Sequence, residues 1–323
     1  MRRPSPPRPR KQRRRNMAGD NLRRAVRGGL LWISLGLAGV GAAGAEVRLA
    51  EARHLFDLAG GGGAALSLPS DVAIGSGGRV YVVDGGNHRV AVFSPAGQYL
   101  FAIGRKGEGS GEFRDPVGIG ADARGRIYVA DSGNHRIQIF DANGRFSGSF
   151  RTGNGRPIDV APDAEGKTLY VTGGHRLTAY SPTGEVLRQW GSEGQSQGEF
   201  RYPASVLVAP EGHVYVVDAL NSRVQIFDPQ GKFVFQVGAW GVLPGQFFRP
   251  KGVALDSKNR IYVTDSYMDL VEVFGSDYRF QHVLGAKGKI RRLTAPGGMA
   301  IDASDRLFVA EMLANKVSVF SLR

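Results

Sequence analysis

Six copies of one segment, each opening on a proline, constrain this chain more than any other feature. The prolines are Pro69, Pro116, Pro157, Pro203, Pro250 and Pro296, spaced at intervals of 47, 41, 46, 47 and 46 residues. Self-similarity at such a period marks a repeat architecture in which each unit buries its apolar faces only against its neighbours. Each unit parses into four short runs rich in Val, Ile, Tyr and Phe, separated by Gly, Asp, Asn and Pro. In the second unit these are Val117 to Gly120, Arg126 to Ala130, Arg136 to Phe140 and Arg145 to Phe150. Such runs read as strands. The turn before the fourth run has hairpin chemistry repeatedly, as in Asp141-Ala142-Asn143-Gly144 and Asp228-Pro229-Gln230-Gly231. There Pro presets φ, and Gly accepts the left-handed backbone that other residues resist. Runs such as Val80-Tyr81-Val82-Val83 are apolar on both faces, which suits a sheet packed between two other sheets.

The ends of the repeat region predict how such a ring closes. Unit six has its first three strands, through Val317-Ser318-Val319-Phe320, and no fourth before Arg323. The segment His54 to Gly60 instead matches the fourth-strand pattern of Tyr99 to Gly104. It is expected to pair with Lys316 to Phe320, completing the last blade and removing an open edge. The fold class is therefore all-β, a six-bladed β-propeller closed by an N-terminal strand.

The segment Tyr128 to Phe140, YVADSGNHRIQIF, resembles the NHL repeat nearly letter for letter. Tyr81 to Phe93 and Tyr215 to Phe227 are close to it, whereas units three, five and six depart: Gly173-Gly174-His175-Arg176 lacks the Asp, and Tyr267-Met268-Asp269-Leu270 lacks both Asn and Arg. The resemblance covers residues 54–323 and implies the fold more than a function, because such propellers serve as sensors, RNA-binding and adhesion modules and, in a few cases, lyases.

Charge has to be located before it is interpreted. Of 42 basic and 29 acidic residues, eleven and one lie within residues 1–27, so residues 46–323 carry 31 and 28, a net of +3. The basic tail does not speak for nucleic-acid binding by the repeat region. From Met17, an alternative start to Met1, the layout is secretory: Arg23, Arg24 and Arg27, the apolar stretch Leu30 to Val40, then Ala43-Gly44-Ala45. The reading is a basic tail and signal peptide over residues 1–45, cut before Glu46 or kept as a membrane anchor, and an exported, periplasmic or extracellular propeller over residues 46–323. With no cysteine in the chain, disulfides, thiolate metal sites and a cysteine nucleophile are excluded together.

Candidate sites follow from where the ring places residues. His88, His135 and His175 share one slot in consecutive units. Equivalent positions of packed sheets lie on the order of 10 Å apart, so a structural role is expected. Asp84 with Arg89, Asp131 with Arg136, and Asp218 with Arg223 read as ion pairs bracing the turn between the second and third strands. The residues just after the opening prolines line the channel. Amidating lyases that resemble this fold set zinc-binding histidines there, and no histidine occupies these positions. Six-bladed lactone hydrolases use carboxylates and amides on a divalent cation, so Asp71, Asp159 and Ser205 form the nearest candidate metal site, for Ca²⁺. No other cofactor is expected, and a lactonase- or lyase-type activity ranks below binding.

Two surface expectations remain. Arg249, Lys251, Lys287, Lys289, Arg291 and Arg292 are expected to form a basic arc able to hold an anionic glycan. The turns of units four to six, with the loop joining units four and five, concentrate large apolar residues where the first three units have mostly glycine: Leu220, Trp240, Val242, Leu243, Phe248, Tyr267, Met268, Met312 and Leu313. Patches of this kind usually bind something, and the principal function read from the sequence is a protein-binding scaffold or sensor module in the cell envelope.

Overall fold

The structure, a computed structural model, describes residues 48–153 and 155–322; the leader read from residues 1–45 lies outside them. Six four-stranded antiparallel units succeed one another along the chain. In blade 1 the strands run from the channel outward as Pro69–Ile74, Val80–Asp84, Arg89–Phe93 and Tyr99–Ile103. The other innermost strands are Pro116–Ala121, Asp159–Pro162, Pro203–Val208, Pro250–Leu255 and Pro296–Ile301.

The apolar pattern explains this stacking. Val80–Asp84, Ile127–Asp131, Val214–Asp218 and Ile261–Asp265 are buried along their whole length, as strands covered on both faces must be. Each core cluster spans two neighbouring blades. One joins Tyr81, Val83 and Val92 of blade 1 to Ile119, Ile127 and Phe140 of blade 2. Another joins Val309 and Phe320 of blade 6 to Tyr262 and Val273 of blade 5.

Closure follows the expected pairing. Arg53–Leu58 runs antiparallel to Lys316–Ser321, with Leu58 opposite Val317, and becomes the outer strand of blade 6. The strand stops at Leu58, because Gly60 belongs to a separate small hairpin of Gly60–Gly61 with Ala64–Ala65. One strand was not expected: Leu49–Glu51 adds in parallel to the outer edge of blade 5, against Phe280–Ala286. The N-terminal segment thus secures two blades.

A chain beginning at Leu66 should therefore melt well below residues 46–323. It loses the buried Leu58, a side chain worth about 1.5–3 kcal/mol when fully buried, together with the smaller buried Ala52 and the strand pairing. Since ~1 kcal/mol moves the midpoint of a domain of this size by ~2–4 °C, a fall of ~10 °C or more is expected by circular dichroism. Equal melting temperatures would contradict ring closure by this strand.

Candidate functional site

The turn between the second and third strands and the loop that enters each blade lie on one face, because the second strand ends where the innermost strand begins: Pro69 pairs with Asp84, Pro203 with Asp218 and Pro250 with Asp265. A carboxylate at that point organises the face. Asp131 is fully buried and accepts from the Arg114 amide (2.8 Å), Asn134 Nδ2 (2.9 Å), Arg136 Nε (2.7 Å) and Gln138 Nε2 (3.0 Å). Asp218 repeats the set with Arg201, Asn221, Arg223 and Gln225. The Asn and Arg also donate onward to carbonyls of the preceding loop: Asn134 to Gly107 and Arg136 to Gly109 and Glu112. The expected Asp–Arg braces are thus hubs fastening turn to loop. The residues after the Asn, His88 and His135, adopt left-handed φ of 52° and 56° to close the turn, which is the structural role their slot was given.

Blade 5 keeps the hub carboxylate and loses its cationic partner. Asp265 is completed by four backbone amides, those of Phe248 (2.6 Å), Arg249 (3.0 Å), Tyr267 (2.9 Å) and Met268 (2.9 Å). Leu270 stands in the Arg slot, and Met268 stands in the Asn slot. For that reason Met268 faces inward and is 3% exposed; it presents nothing to a partner, contrary to the sequence expectation. Its neighbour Tyr267 occupies the outward slot shared with Leu220 and Leu313, and stacks on Phe248 at 4.0 Å between ring centroids. Trp240 lies 6.3 Å from Phe248. Trp240 is 73% exposed, Leu313 65%, and Leu220 and Leu243 56% each. Val242 and Met312 are half-buried. Apart from Met268, the expected apolar residues occupy the turns and loop of one face.

The basic residues do not form one arc. Arg249 and Lys251 flank the start of the innermost strand of blade 5, while Lys287 and Lys289 sit on a hairpin at its outermost strand. Three strand spacings of ~4.8 Å separate these positions, about 14 Å. Arg291 turns inward with its guanidinium 5.3 Å from the Phe320 ring. Arg292 Nη1 donates to the Met268 carbonyl (2.5 Å). Lys251 is half-buried, with Nζ 5.2 Å from the centre of the Tyr202 ring, and burial followed by the Arg249 charge pulls its pKa down.

The three proposed metal ligands do meet in the channel. Its cavity of about 270 Å³ is lined mainly by aliphatic side chains such as Ile74, Ile119, Leu207 and Met299, with Asp71, Asp159 and Ser205 the polar side chains among the lining residues. Asp71 accepts from the amides of Val72 (2.8 Å) and Ile119 (2.9 Å); Asp159 accepts from Val160 (2.7 Å) and Val206 (2.9 Å). Each carboxyl therefore ties its own blade to the next. Burial and the Asp159 charge push Asp71 well above the ordinary carboxylate range, and burial raises Asp159 as well. Two carboxyls, every oxygen already holding an amide, fall well short of the ~6–8 oxygens of a Ca²⁺ site. The residues do not fit that ion, and no group of three or more His, Asp or Glu able to hold a metal occurs among the described residues.

Glu272 was missed from sequence. It stands in the slot of Gln138 and Gln225, accepting from the Gly245 amide (2.8 Å) as those glutamines do from Gly111 and Gly198. It is 2% exposed, and burial, with the Asp265 charge adding, pushes its pKa up to about 8. The signal was available as a Glu where sibling units have Gln.

The fold and its central channel define the class: this is a six-bladed β-propeller. The family model for the NHL repeat matches residues 66–93 and 113–140, and a model described as 6-bladed beta-propeller matches residues 192–285. The chain carries NHL repeats within a six-bladed β-propeller. Peptidyl-glycine alpha-amidating monooxygenase A of Xenopus laevis is 36% identical over 78 residues, which are 22% of this chain and 8% of that protein. Among solved structures, the RRP9 WD40 repeats superpose with a TM-score of 0.63 at 13% identity, covering 86% of this chain and all of that one. Virginiamycin B lyase from Staphylococcus aureus does so at 0.56 and 14%, covering 78% and 80%. At such identities these likenesses speak for the fold alone.

Glu272→Gln tests the assignment of a neutral acid. A folded-state pKa near 8 against 4.5 for the free group means the fold holds a proton that the unfolded chain releases. The group's favourable contribution is complete below pH ~4.5 and is lost as pH rises toward 8. The variant should gain stability at pH 8, on the order of 1–3 kcal/mol, with the difference shrinking toward pH 5 in denaturant titrations. A difference independent of pH would contradict it.

Proposed function

We propose that this propeller is a protein-binding scaffold of the cell envelope whose docking face is formed by the loops and turns of blades 4 to 6. A comparison within the chain carries the reading. Three of the loops entering blades share one backbone geometry, marked by the parallel bridges Lys106↔Phe113, Glu193↔Phe200 and Trp240↔Phe247, and Phe113, Phe200 and Phe247 are all fully buried. The same loop is thus built with Lys106 or Glu193 at the position where blade 5 exposes Trp240. The large apolar side chains are not required by the loop, and exposed aromatic residues such as Trp240 are among the types enriched at the centres of interfaces.

Export rests on the arrangement of residues 1–45, and cleavage before Glu46 would release a chain of 278 residues. The cations Arg249, Lys251 and Arg292 support a second reading, an anionic glycan on the same face. The channel carboxyls act as braces between blades, which gives less support to chemistry there.

Trp240→Asp with Leu243→Asp should reduce capture of partner proteins from an envelope extract at least tenfold, while leaving the melting temperature of residues 46–323 within ~2 °C, as surface changes away from packed contacts do. Undiminished capture would contradict this docking face.

A further inference from the structure

We propose that the partner presents an acidic segment, an aromatic or aliphatic anchor flanked by Asp or Glu, with one carboxylate seated at Lys251 and Arg249; this rests on the reading of blades 4 to 6 as the docking face. Compared blade against blade, two places in that sector lack the acid that sibling blades hold: the loop entering blade 5, which has lost its charges of both signs, and the channel mouth, which keeps its cations.

The first is in the loop. Glu112 Oε2 accepts from the Gly109 amide at 3.0 Å, and Glu199 Oε2 accepts from the Ser196 amide at 2.9 Å. In the loop entering blade 5 the equivalent bond, Leu243 amide to Gln246 Oε1 at 3.2 Å, is made by an amide side chain. The hydrogen bond is retained and the charge is gone. Glu108 and Glu193 correspond to Val242 and Trp240. The loops entering blades 2 and 4 therefore carry carboxylates where the loop entering blade 5 carries none.

The second lies at the channel mouth, on the residue before each opening proline. In blades 2 and 3 these residues are Asp115 and Arg156, paired at 3.2 Å. In blades 4 and 5 they are Tyr202 and Arg249, so the aromatic ring has replaced the acid that would balance the arginine. Lys251 lies over that ring, half-buried, beside the like charge of Arg249. No carboxylate pairs with Lys251 or Arg249 among the described residues. A cation removed from water without a counter-charge is costly, and a partner carboxylate supplies the missing acid at the edge of an apolar patch.

The apolar side chains decide between the two kinds of polyanion. A sulfated glycan neutralises the cations but leaves Leu220, Leu243 and Leu313 without apolar cover. A peptide with an apolar anchor between carboxylates covers both.

The test is selection of a random 12-residue peptide display library on residues 46–323, with heparin as the competing polyanion. Expected clones carry two or more Asp or Glu beside Phe, Trp or Leu. Their synthetic peptides should lose at least tenfold in affinity with Lys251→Met and Arg249→Gln combined, and a similar factor between 50 and 500 mM salt, as screening requires. Their binding should be abolished by Trp240→Asp with Leu243→Asp. Enrichment of neutral or basic peptides that still depend on Trp240 and Leu243 would overturn the acidic partner and leave the docking face standing. Clones indifferent to Trp240 and Leu243, or no enrichment, would overturn both. Heparin binding more tightly than every selected peptide, and displacing them, would assign the face to a glycan.

Discussion

A carboxylate buried at the end of the second strand of a blade has to be given its donors by the protein, because unpaired charge cannot be left in a dry interior. That requirement shapes one whole face of the ring. In blades 1, 2 and 4 the donors are an Asn and an Arg from the following turn and an amide from the preceding loop. The Arg and Asn then reach back to loop carbonyls. One acid thus fixes the turn, the loop and the start of the innermost strand together, and the NHL sequence pattern is the covalent trace of that arrangement. Blade 6 solves the same problem with Glu311, which accepts from the Thr294 amide (2.7 Å) and the Ser318 hydroxyl (2.5 Å).

Where the pattern degenerates, the face changes character. With backbone amides completing Asp265, blade 5 has no use for the Arg and Asn, and Leu270 and Met268 take their places as core residues. The loop above is then tied through Gly245 to Glu272 and through Phe248 and Arg249 to Asp265. Its remaining positions are released to carry Trp240, Val242 and Leu243. Within the channel, Asp71 and Asp159 each clamp one innermost strand to the next whatever the loops above them carry.

Much of this was legible in the sequence. The six prolines count the blades, and the match of His54 to Gly60 with Tyr99 to Gly104 locates the closing strand, because both express four-strand periodicity. The Asp–Arg braces were legible because charge complementarity at fixed spacing survives repetition. Leu49–Glu51 was not, since three residues pairing in parallel with a distant edge leave no alternation to detect. Met268 was misplaced because an apolar residue in a turn reads as exposed until the turn shows that the Asn slot points inward. Arg291 was placed on the rim by its neighbours in sequence, whereas the hairpin before it directs its guanidinium to the Phe320 ring. Glu272 required noticing that one slot holds Gln in two blades and its acid in a third.

The central claim is that the loop entering blade 5 keeps the geometry of its siblings while its side chains serve another purpose than folding. The most direct measurement is thermal unfolding of a chimera in which residues 239–246 are replaced by the sequence of residues 105–112, Arg-Lys-Gly-Glu-Gly-Ser-Gly-Glu. Because both loops close on a buried phenylalanine through the same bridge, the chimera should melt within ~2 °C of the parent, surface exchanges being nearly neutral. A fall of ~8 °C or more would show that Trp240, Val242 and Leu243 belong to the folding core and would contradict the account.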